Sequence, residues 1–179
     1  MGRAVLLTGC SGAGKSTLLA EMARRGWSVV SEPGRRVIAA AQEAGRNATP
    51  WQDMAAFLHD CDALAAEDLS TPSNVDRLFD RGRLDAQLGL ARLGLEPEPD
   101  RTILDGYADT IVLAEPWRDR FEPDVDRRHD FSAAVMEYDH IASWLSRHAV
   151  PTAILPRDGV AARANWLETL LAGLERQVA

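Results

Sequence analysis

The stretch GCSGAGKS at residues 9–16 follows the pattern G-x-x-x-x-G-K-[S/T], in which a glycine-rich turn joins a strand to a helix and binds phosphate. Residues 4–8 before it are a short apolar run that ends at Gly9, which is typical of a strand buried on both faces of a parallel sheet. Residues 15–25 after it carry apolar side chains at helical spacing. The motif therefore lies between the two elements that a phosphate-binding loop requires.

Lys15 is the only lysine in the chain, and the other nineteen basic residues are arginines. An ammonium is a compact point charge that fits an enclosed phosphate site, where the planar guanidinium is too large. We expect Lys15 to reach the β- and γ-phosphates of a nucleotide and the Ser16 hydroxyl to bind Mg²⁺. The glycines let successive N–H groups point at one anion. The predicted nucleotide-binding residues of the loop are Gly9, Cys10, Ser11, Gly12, Ala13, Gly14, Lys15, Ser16 and Thr17.

Strands alternate with helices along the rest of the chain. Strands are predicted at residues 27–31, 75–79, 110–114 and 151–155. Helices are predicted at residues 35–45, 83–93 and 161–174, from residue 131 onward, and from a cap at Thr49-Pro50 to the polar break at 69–74. This alternation predicts an α/β fold with about five parallel strands flanked by helices. A chain of 179 residues is long enough for one substantial core. We therefore expect a single P-loop NTPase domain over residues 1–179.

Composition narrows the possible partners and compartment. The net charge of −7 and pI near 5.1 argue against nucleic acid or an anionic membrane as a general partner. No stretch approaches the roughly 20 apolar residues of a membrane span. The two cysteines, Cys10 and Cys61, form neither a disulfide framework nor a metal-ligand spacing, and Cys61 is expected in the core. These features predict a soluble, cytoplasmic protein that acts on a small molecule, with an oligomeric state that the sequence leaves unknown.

Acidic residues follow two of the predicted strands. Glu32 comes directly after the second strand and Asp80 after the third, so both are expected near the phosphates, at the carboxyl edge of the sheet. Asp80 fits a Walker-B acid that binds Mg²⁺ through water, and Glu32 fits a base that accepts the proton of an acceptor hydroxyl; the opposite assignment is also open. A plain helix cap is the alternative interpretation of Glu32.

Arginines at two further places are candidate anion ligands. Arg35 lies at the start of a predicted helix, where its charge is unfavourable to the helix dipole. Arg118 and Arg127 lie in a charged segment, residues 117–130, that is interpreted as a lid whose arginines would stabilise the transferred phosphoryl group. Because acidic residues alternate with these arginines, a solvated helix face is the alternative interpretation.

Five segments together give a family resemblance. They are GCSGAGKST at 9–17, SEPGRRVI at 31–38, FDRGRLD at 79–85, AEPWRDR at 114–120 and DVDRRHDF at 124–131. In their order and spacing the chain resembles P-loop, AAA-family ATPase-like kinase domains of the NadR type, which are related to nicotinamide riboside kinase domains. The resemblance spans nearly the whole chain and implies the nucleoside and nucleotide kinase fold, with a lid after the fourth strand.

The resemblance also implies roles for individual residues. Glu32 would be the acceptor-side carboxylate, while Asp80 and Arg81 would line the acceptor and metal site. Arg118, Arg127 and Arg128 would belong to the lid, and Arg157, after the last strand, would flank the nucleotide base. Catalysis is accordingly assigned to Lys15, Glu32, Asp80, Arg118 and Arg127, substrate binding to Glu32, Arg35, Asp80 and Arg81, and metal binding to Ser16 and Asp80.

The leading functional hypothesis is an Mg²⁺-dependent kinase that transfers the γ-phosphoryl group of ATP or GTP to a small-molecule hydroxyl, with a nucleoside-like acceptor. A regulatory nucleotide-binding module that acts through a partner protein, and a phosphotransferase for an antibiotic or secondary metabolite, are the alternatives. A Ras-type switch is disfavoured because an N-K-x-D motif needs a second lysine. The acceptor pocket is expected between the helices of residues 35–69 and the loop 94–108, with Trp51 and Trp117 as candidate stacking residues.

Overall fold

The computed structural model describes residues 2–120 and 131–175. In chain order the elements are β1 (Ala4–Gly9), α1 (Lys15–Arg24), β2 (Ser28–Val30), α2 (Pro33–Glu43), α3 (Met54–Ser70), β3 (Arg77–Asp80), α4 (Arg83–Arg92), a 3₁₀ turn (Arg101–Leu104), β4 (Ile111–Ala114), a second 3₁₀ turn (Arg118–Arg120), α5 (Phe131–Arg147), β5 (Thr152–Ile154) and α6 (Val160–Glu175).

The sheet has five parallel strands in the order β2-β3-β1-β4-β5. β1 is central, pairs with β3 on one side and β4 on the other, and all six of its residues are buried. The chain therefore leaves β1 for one half of the sheet and later returns for the other half. In such a sheet the crevice for a ligand opens at the carboxyl ends of the strands, where the order reverses.

Side chains of β1 alternate between two hydrophobic cores. Val5 and Leu7 pack in the core that includes side chains of α1 and α6, whereas Ala4 and Leu6 pack in the core that includes side chains of α4 and α5. This alternation is the period of two that a strand imposes. The sheet is thus covered by helices on both faces, as its continuous apolar strands require.

The predicted fold class is confirmed, and most element boundaries agree within three residues. The predicted cap of the third helix is wrong: α3 begins at Met54, and the Asp53 side chain accepts the Ala56 N–H at 3.0 Å. The third strand begins at Arg77 rather than residue 75 and ends at Asp80. Within the predicted loop 94–108, residues Arg101–Leu104 form a 3₁₀ turn. Among the described residues no helix is long and apolar enough to cross a membrane.

Gly9 joins the sheet to the phosphate loop at a place where only glycine fits. Its φ is +120°, and a Cβ added there would lie 2.2 Å from the carbonyl oxygen of Ala114 in the neighbouring strand β4. Neither backbone can move without breaking the pairing of β1 with β4. The glycine thus sets the direction in which the chain leaves the central strand.

Replacing Gly9 by alanine is expected to lower the free energy of unfolding by about 3 kcal/mol or more, because positive φ and backbone overlap both oppose a Cβ. Gly173→Ala is the matched control. Gly173 lies in α6 with nothing within 4 Å of an added Cβ, so alanine there should stabilise by up to about 1 kcal/mol. Urea denaturation measures both, and equal stability of Gly9→Ala and the wild type would contradict the prediction.

Candidate functional site

The phosphate loop lies between β1 and α1 and turns through glycines with positive φ. Gly12 and Gly14 have φ of +76° and +72°, a left-handed conformation that L side chains rarely adopt. The Lys15 side chain is buried, and its Nζ donates to the carbonyl oxygens of Gly9 at 3.2 Å and Cys10 at 2.6 Å. The loop is thus shaped as a cradle with its ammonium inside.

The electrostatics of Lys15 favour an incoming anion. Burial, and then the nearby Arg81, lower the pKa of Lys15, although Asp80, Glu137 and Glu32 act in the opposite direction. A phosphate group beside Nζ would restore the preference for the charged ammonium. The cradle therefore has the shape of a phosphate site, and a bound anion would stabilise its buried ammonium.

Ser16 and Asp80 form the pair that could hold a metal ion. The Ser16 hydroxyl donates to Asp80 Oδ2 at 2.7 Å, while the buried Oδ1 of Asp80 has no hydrogen-bond partner within residues 2–120 and 131–175. Among the described residues no group of three or more His, Cys, Asp or Glu side chains is arranged around a metal site. Mg²⁺ commonly binds through one or two protein oxygens plus phosphates and water, and this pair fits that coordination.

Arg81 is the centre of a buried ion-pair cluster. Its guanidinium lies 3.2 Å from Glu32 Oε1, 2.8 Å from Asp85 Oδ1 and 2.9 Å from Glu137 Oε1. Its Nη2 also donates to the Ser11 hydroxyl of the cradle at 3.2 Å. Its backbone φ is +65°, which is costly for a residue with a side chain. The contacts with three carboxylates offset this cost and fix the guanidinium beside the cradle.

The pKa values of these carboxyl groups reflect the cluster. Burial raises the pKa of Asp85, although Arg81, the Thr8 hydroxyl and the Gly82 N–H favour its ionised form. Burial would likewise raise the pKa of Glu137, but Arg81, Lys15 and the Ser11 N–H lower it from 4.5 to about 2. Glu137 is therefore charged at neutral pH.

A cavity of about 270 Å³ opens beside the cradle. Its polar wall includes Ser11, Glu32, Arg81, Asp85 and Glu137. Its apolar wall includes Ile38, Trp51, Met54, Phe57, Leu58 and Ile141. The volume is just below the roughly 300–1,000 Å³ of small-molecule pockets, so the cavity suits one small metabolite.

The walls of this cavity differ from the expectation. Helices α2 and α3 line it as predicted, but the loop 94–108 does not, and residues of α4 and α5 do. The loop lies elsewhere because the Ala108 N–H donates to the Ala4 carbonyl at 2.7 Å, at the amino end of β1, whereas the cradle follows its carboxyl end. Trp51 lines the cavity, and Trp117 is not among the described lining residues.

The structure separates the predicted site residues into three groups. Lys15, Ser16, Glu32, Asp80 and Arg81 come together where β1, β2 and β3 end. Arg35, Arg118 and Arg157 are exposed. Arg35 Nε lies 3.5 Å from Glu32 Oε2, Arg118 stacks on the Phe131 ring at 4.6 Å, and Arg157 Nε lies 3.4 Å from Glu115 Oε2. Arg127 and Arg128, like the 121–130 part of the predicted lid, lie outside the described residues.

Three residues of the site were not predicted. Asp85 follows Arg81 at the i+4 spacing of a helical ion pair, which was a usable local signal. Glu137 lies 126 residues along the chain from Ser11 and had no local signal. Arg163 of α6 is buried behind the cradle, where its guanidinium donates to the carbonyl oxygens of Ala13 at 2.9 Å and Gly14 at 3.4 Å. Only the packing of α5 and α6 on the sheet brings the last two to the loop.

A family model described as an AAA domain matches residues 4–163, from the start of β1 to the first turn of α6. The chain belongs to the AAA domain family. The matched range contains the cradle, the Arg81 cluster and the walls of the cavity. No curated protein matches the chain.

Solved structures resemble the whole fold of this AAA domain. A structure of deoxyadenosine kinase from M. mycoides with bound dATP has a TM-score of 0.61 and 14% sequence identity, covering 95% of this chain and 99% of that one. A structure of the same kinase with the products dCMP and a flexible dCDP bound has a TM-score of 0.63 at the same identity and coverage. The chain therefore has the P-loop nucleoside kinase fold.

Replacing Arg81 by methionine is expected to lower the free energy of unfolding at neutral pH by about 3–5 kcal/mol, because three carboxylates lose their buried counter-charge. The deficit should shrink on acidification. In the wild type the lowered pKa of Glu137 stabilises the fold above pH 4.5, and this contribution is lost as the pH falls towards about 2. Urea denaturation between pH 7 and pH 3 measures the difference.

The matched control is Arg92→Met, since Arg92 is an exposed arginine at the edge of the same cavity. We expect its stability to stay within about 0.5 kcal/mol of the wild type at every pH. A loss for Arg81→Met that does not depend on pH would contradict the electrostatic explanation.

Proposed function

We propose that this AAA domain is an Mg²⁺-dependent phosphotransferase that moves the γ-phosphoryl group of ATP or GTP to the hydroxyl of a small, nucleoside-like metabolite. The observation that carries the proposal is the shared wall between cradle and cavity. There the buried Glu32 and Arg81 lie 3.2 Å apart, and both also line the cavity beside the phosphate loop. A carboxylate and a cation between a phosphate site and an acceptor site are what phosphoryl transfer needs.

In this proposal the cradle residues 9–17 hold the phosphates through backbone N–H groups, and Lys15 offsets charge on the β- and γ-phosphates. Ser16 and Asp80 would hold Mg²⁺, which would supply positive charge beside the phosphates. The residues of the chain position the acceptor so that a bond forms between its oxygen and the γ-phosphorus while the bond to the β-phosphate oxygen breaks. The proton of the acceptor hydroxyl passes to a carboxylate.

Glu32 is the carboxylate that the geometry favours as the base. It lines the acceptor cavity, whereas Asp80 does not and instead accepts the Ser16 hydroxyl. In this proposal Glu32 is the base on the acceptor side and Asp80 is a ligand on the metal side. This division also fits the resemblance to domains of the NadR type, which we retain as the proposed subfamily.

The apolar wall supports an acceptor with a flat ring. Trp51 and Phe57 line it, and Trp51 is 53% exposed, so its ring is accessible for stacking. The polar wall supplies acceptors and a cation for sugar hydroxyls. An antibiotic or other secondary metabolite with a ring and hydroxyls would meet the same chemistry, and is the alternative acceptor class.

Five arginines complete the proposal. Arg118, Arg127 and Arg128 of the 117–130 segment would close over the phosphates, and Arg157 would flank the nucleotide base. Arg35, which lies 3.5 Å from Glu32 at the rim of the site, would add a substrate contact. We further propose that the chain acts in the cytoplasm on a small molecule, with neither nucleic acid nor a membrane as its partner.

The proposed function is tested by nucleoside-diphosphate release from Mg-ATP and Mg-GTP, with and without a panel of nucleosides and hydroxylated metabolites. Lys15→Ala is the blank, because it removes the cradle ammonium. We expect one acceptor class to stimulate release at least tenfold in the wild type and not in the blank. Tight nucleotide binding without stimulation by any acceptor would instead favour the regulatory module.

Replacing Glu32 by glutamine is expected to lower kcat by roughly 10²–10⁴, the usual contribution of a positioned general base. Glu43→Gln is the matched control, since Glu43 is an exposed glutamate at the end of the same helix α2. Acceptor phosphorylation at steady state, with melting temperatures to verify folding, measures the effect. An unchanged kcat in a folded Glu32→Gln variant would show that the base lies elsewhere.

A further inference from the structure

Glu137 brings a carboxylate of the chain itself to the phosphate cradle. Its Oε2 accepts the backbone N–H of Ser11 at 2.8 Å, and its Oε1 lies 2.9 Å from the Arg81 guanidinium. Ser11 is the third residue of the loop motif. An internal anion therefore occupies a backbone donor of the loop whose N–H groups form an anion site.

Glu137 lies at the end of the cradle that borders the cavity. Its side chain lines the acceptor cavity, which under the proposed function is the side from which the acceptor hydroxyl approaches. The phosphate nearest to that side is the terminal one, since it is the group that moves. A bound diphosphate would end one group farther from Glu137 than a bound triphosphate.

The Glu137 carboxylate is ionised at neutral pH. The pKa of Glu137 falls to about 2 because Arg81, Lys15 and the Ser11 N–H outweigh the effect of burial. Lys15, the residue expected to hold the β- and γ-phosphates, is thus within electrostatic reach of Glu137. A phosphate that enters the cradle must share this ammonium and this guanidinium with an existing negative charge.

We propose that Glu137 is a specificity-determining residue of the phosphate site: it holds Ser11 and Arg81 in place and, by its charge, weakens the binding of a nucleoside triphosphate relative to a diphosphate. The proposal rests on the proposed function. The Glu137 carboxylate repels the bound triphosphate, and this repulsion is relieved as the phosphoryl group departs. It therefore raises the free energy of the bound ground state more than that of the transition state, which favours catalysis.

The proposal predicts an effect opposite in sign to that of a structural ion pair. Loss of a merely structural carboxylate would loosen Arg81 and the loop, and would therefore weaken nucleotide binding. Loss of the charge alone, with the hydrogen-bond acceptor retained, should tighten it. Glu137→Gln makes this change, since the glutamine oxygen can still accept the Ser11 N–H.

Asp139→Asn is the matched control. Asp139 lies on the same helix α5 and is exposed, and two residues along a helix point to nearly opposite sides. The substitution removes the same unit of charge from the same element without touching the cradle. Glu137→Asp retains the charge on a shorter side chain. It therefore distinguishes the effect of the charge from that of the contacts made by the longer side chain.

The experiment measures binding of Mg²⁺ complexes of a non-hydrolysable ATP analogue and of ADP by isothermal titration calorimetry, with melting temperatures as a check of folding. For Glu137→Gln we expect the Kd of the triphosphate analogue to fall about tenfold, the order that Coulomb's law gives for charges several ångströms apart in a partly solvated site. The Kd of ADP should change less than threefold. Asp139→Asn should bind the analogue within about threefold of the wild type, and Glu137→Asp, which retains the charge, should not bind it more tightly than the wild type does.

The results distinguish a failure of the proposed function from a failure of this inference alone. If the wild type binds neither nucleotide more tightly than Lys15→Ala does, and the corresponding guanine nucleotides give the same result, the proposed function fails, and this inference fails with it. If the wild type binds but folded Glu137→Gln binds the triphosphate analogue equally or more weakly, or gains equally for ADP, only the inference is overturned.

Discussion

The positive charge of Arg81 lies in the wall between the phosphate cradle and the cavity, and most of the candidate site depends on it. One guanidinium meets carboxylates from the end of β2, from α4 and from α5, together with a hydroxyl of the loop. Without it these acids would form a buried cluster of like charges, which is costly in a low-dielectric environment. With it, the same acids hold the guanidinium in a backbone conformation that it would otherwise rarely adopt.

This cluster has a consequence for chemistry as well as for stability. Because Arg81 contacts Ser11 on one side and Glu32 on the other, the cradle and the cavity share a single wall. Contacts of the Arg81 guanidinium, each 3.2 Å long, join the two sides. That arrangement suits a reaction in which a phosphoryl group crosses from the cradle to the cavity. The folded core then sets the distance between these two sites.

The sheet supplies the frame in which this wall can form. β1 carries the cradle at its carboxyl end and β3 ends in Asp80, and these strands are adjacent. The hydrogen bond from Ser16 to Asp80 then follows from strand order, since parallel neighbours end at the same edge. Arg163 completes the frame from behind, because its guanidinium donates to the carbonyl oxygens of Ala13 and Gly14 in the loop.

The sequence by itself determined the fold class, the phosphate loop with Lys15, and the acids at the ends of the second and third strands. These are local features: a periodicity, a motif and a residue that directly follows an apolar run. Only the tertiary structure decided that Glu137 and Arg163 contact the cradle, that α4 and α5 rather than the loop 94–108 line the cavity, and that Glu32 lines the cavity while Asp80 accepts the Ser16 hydroxyl. The physical reason is that these contacts join residues far apart in the chain, and their geometry is set by how helices pack on the sheet, which no local pattern records.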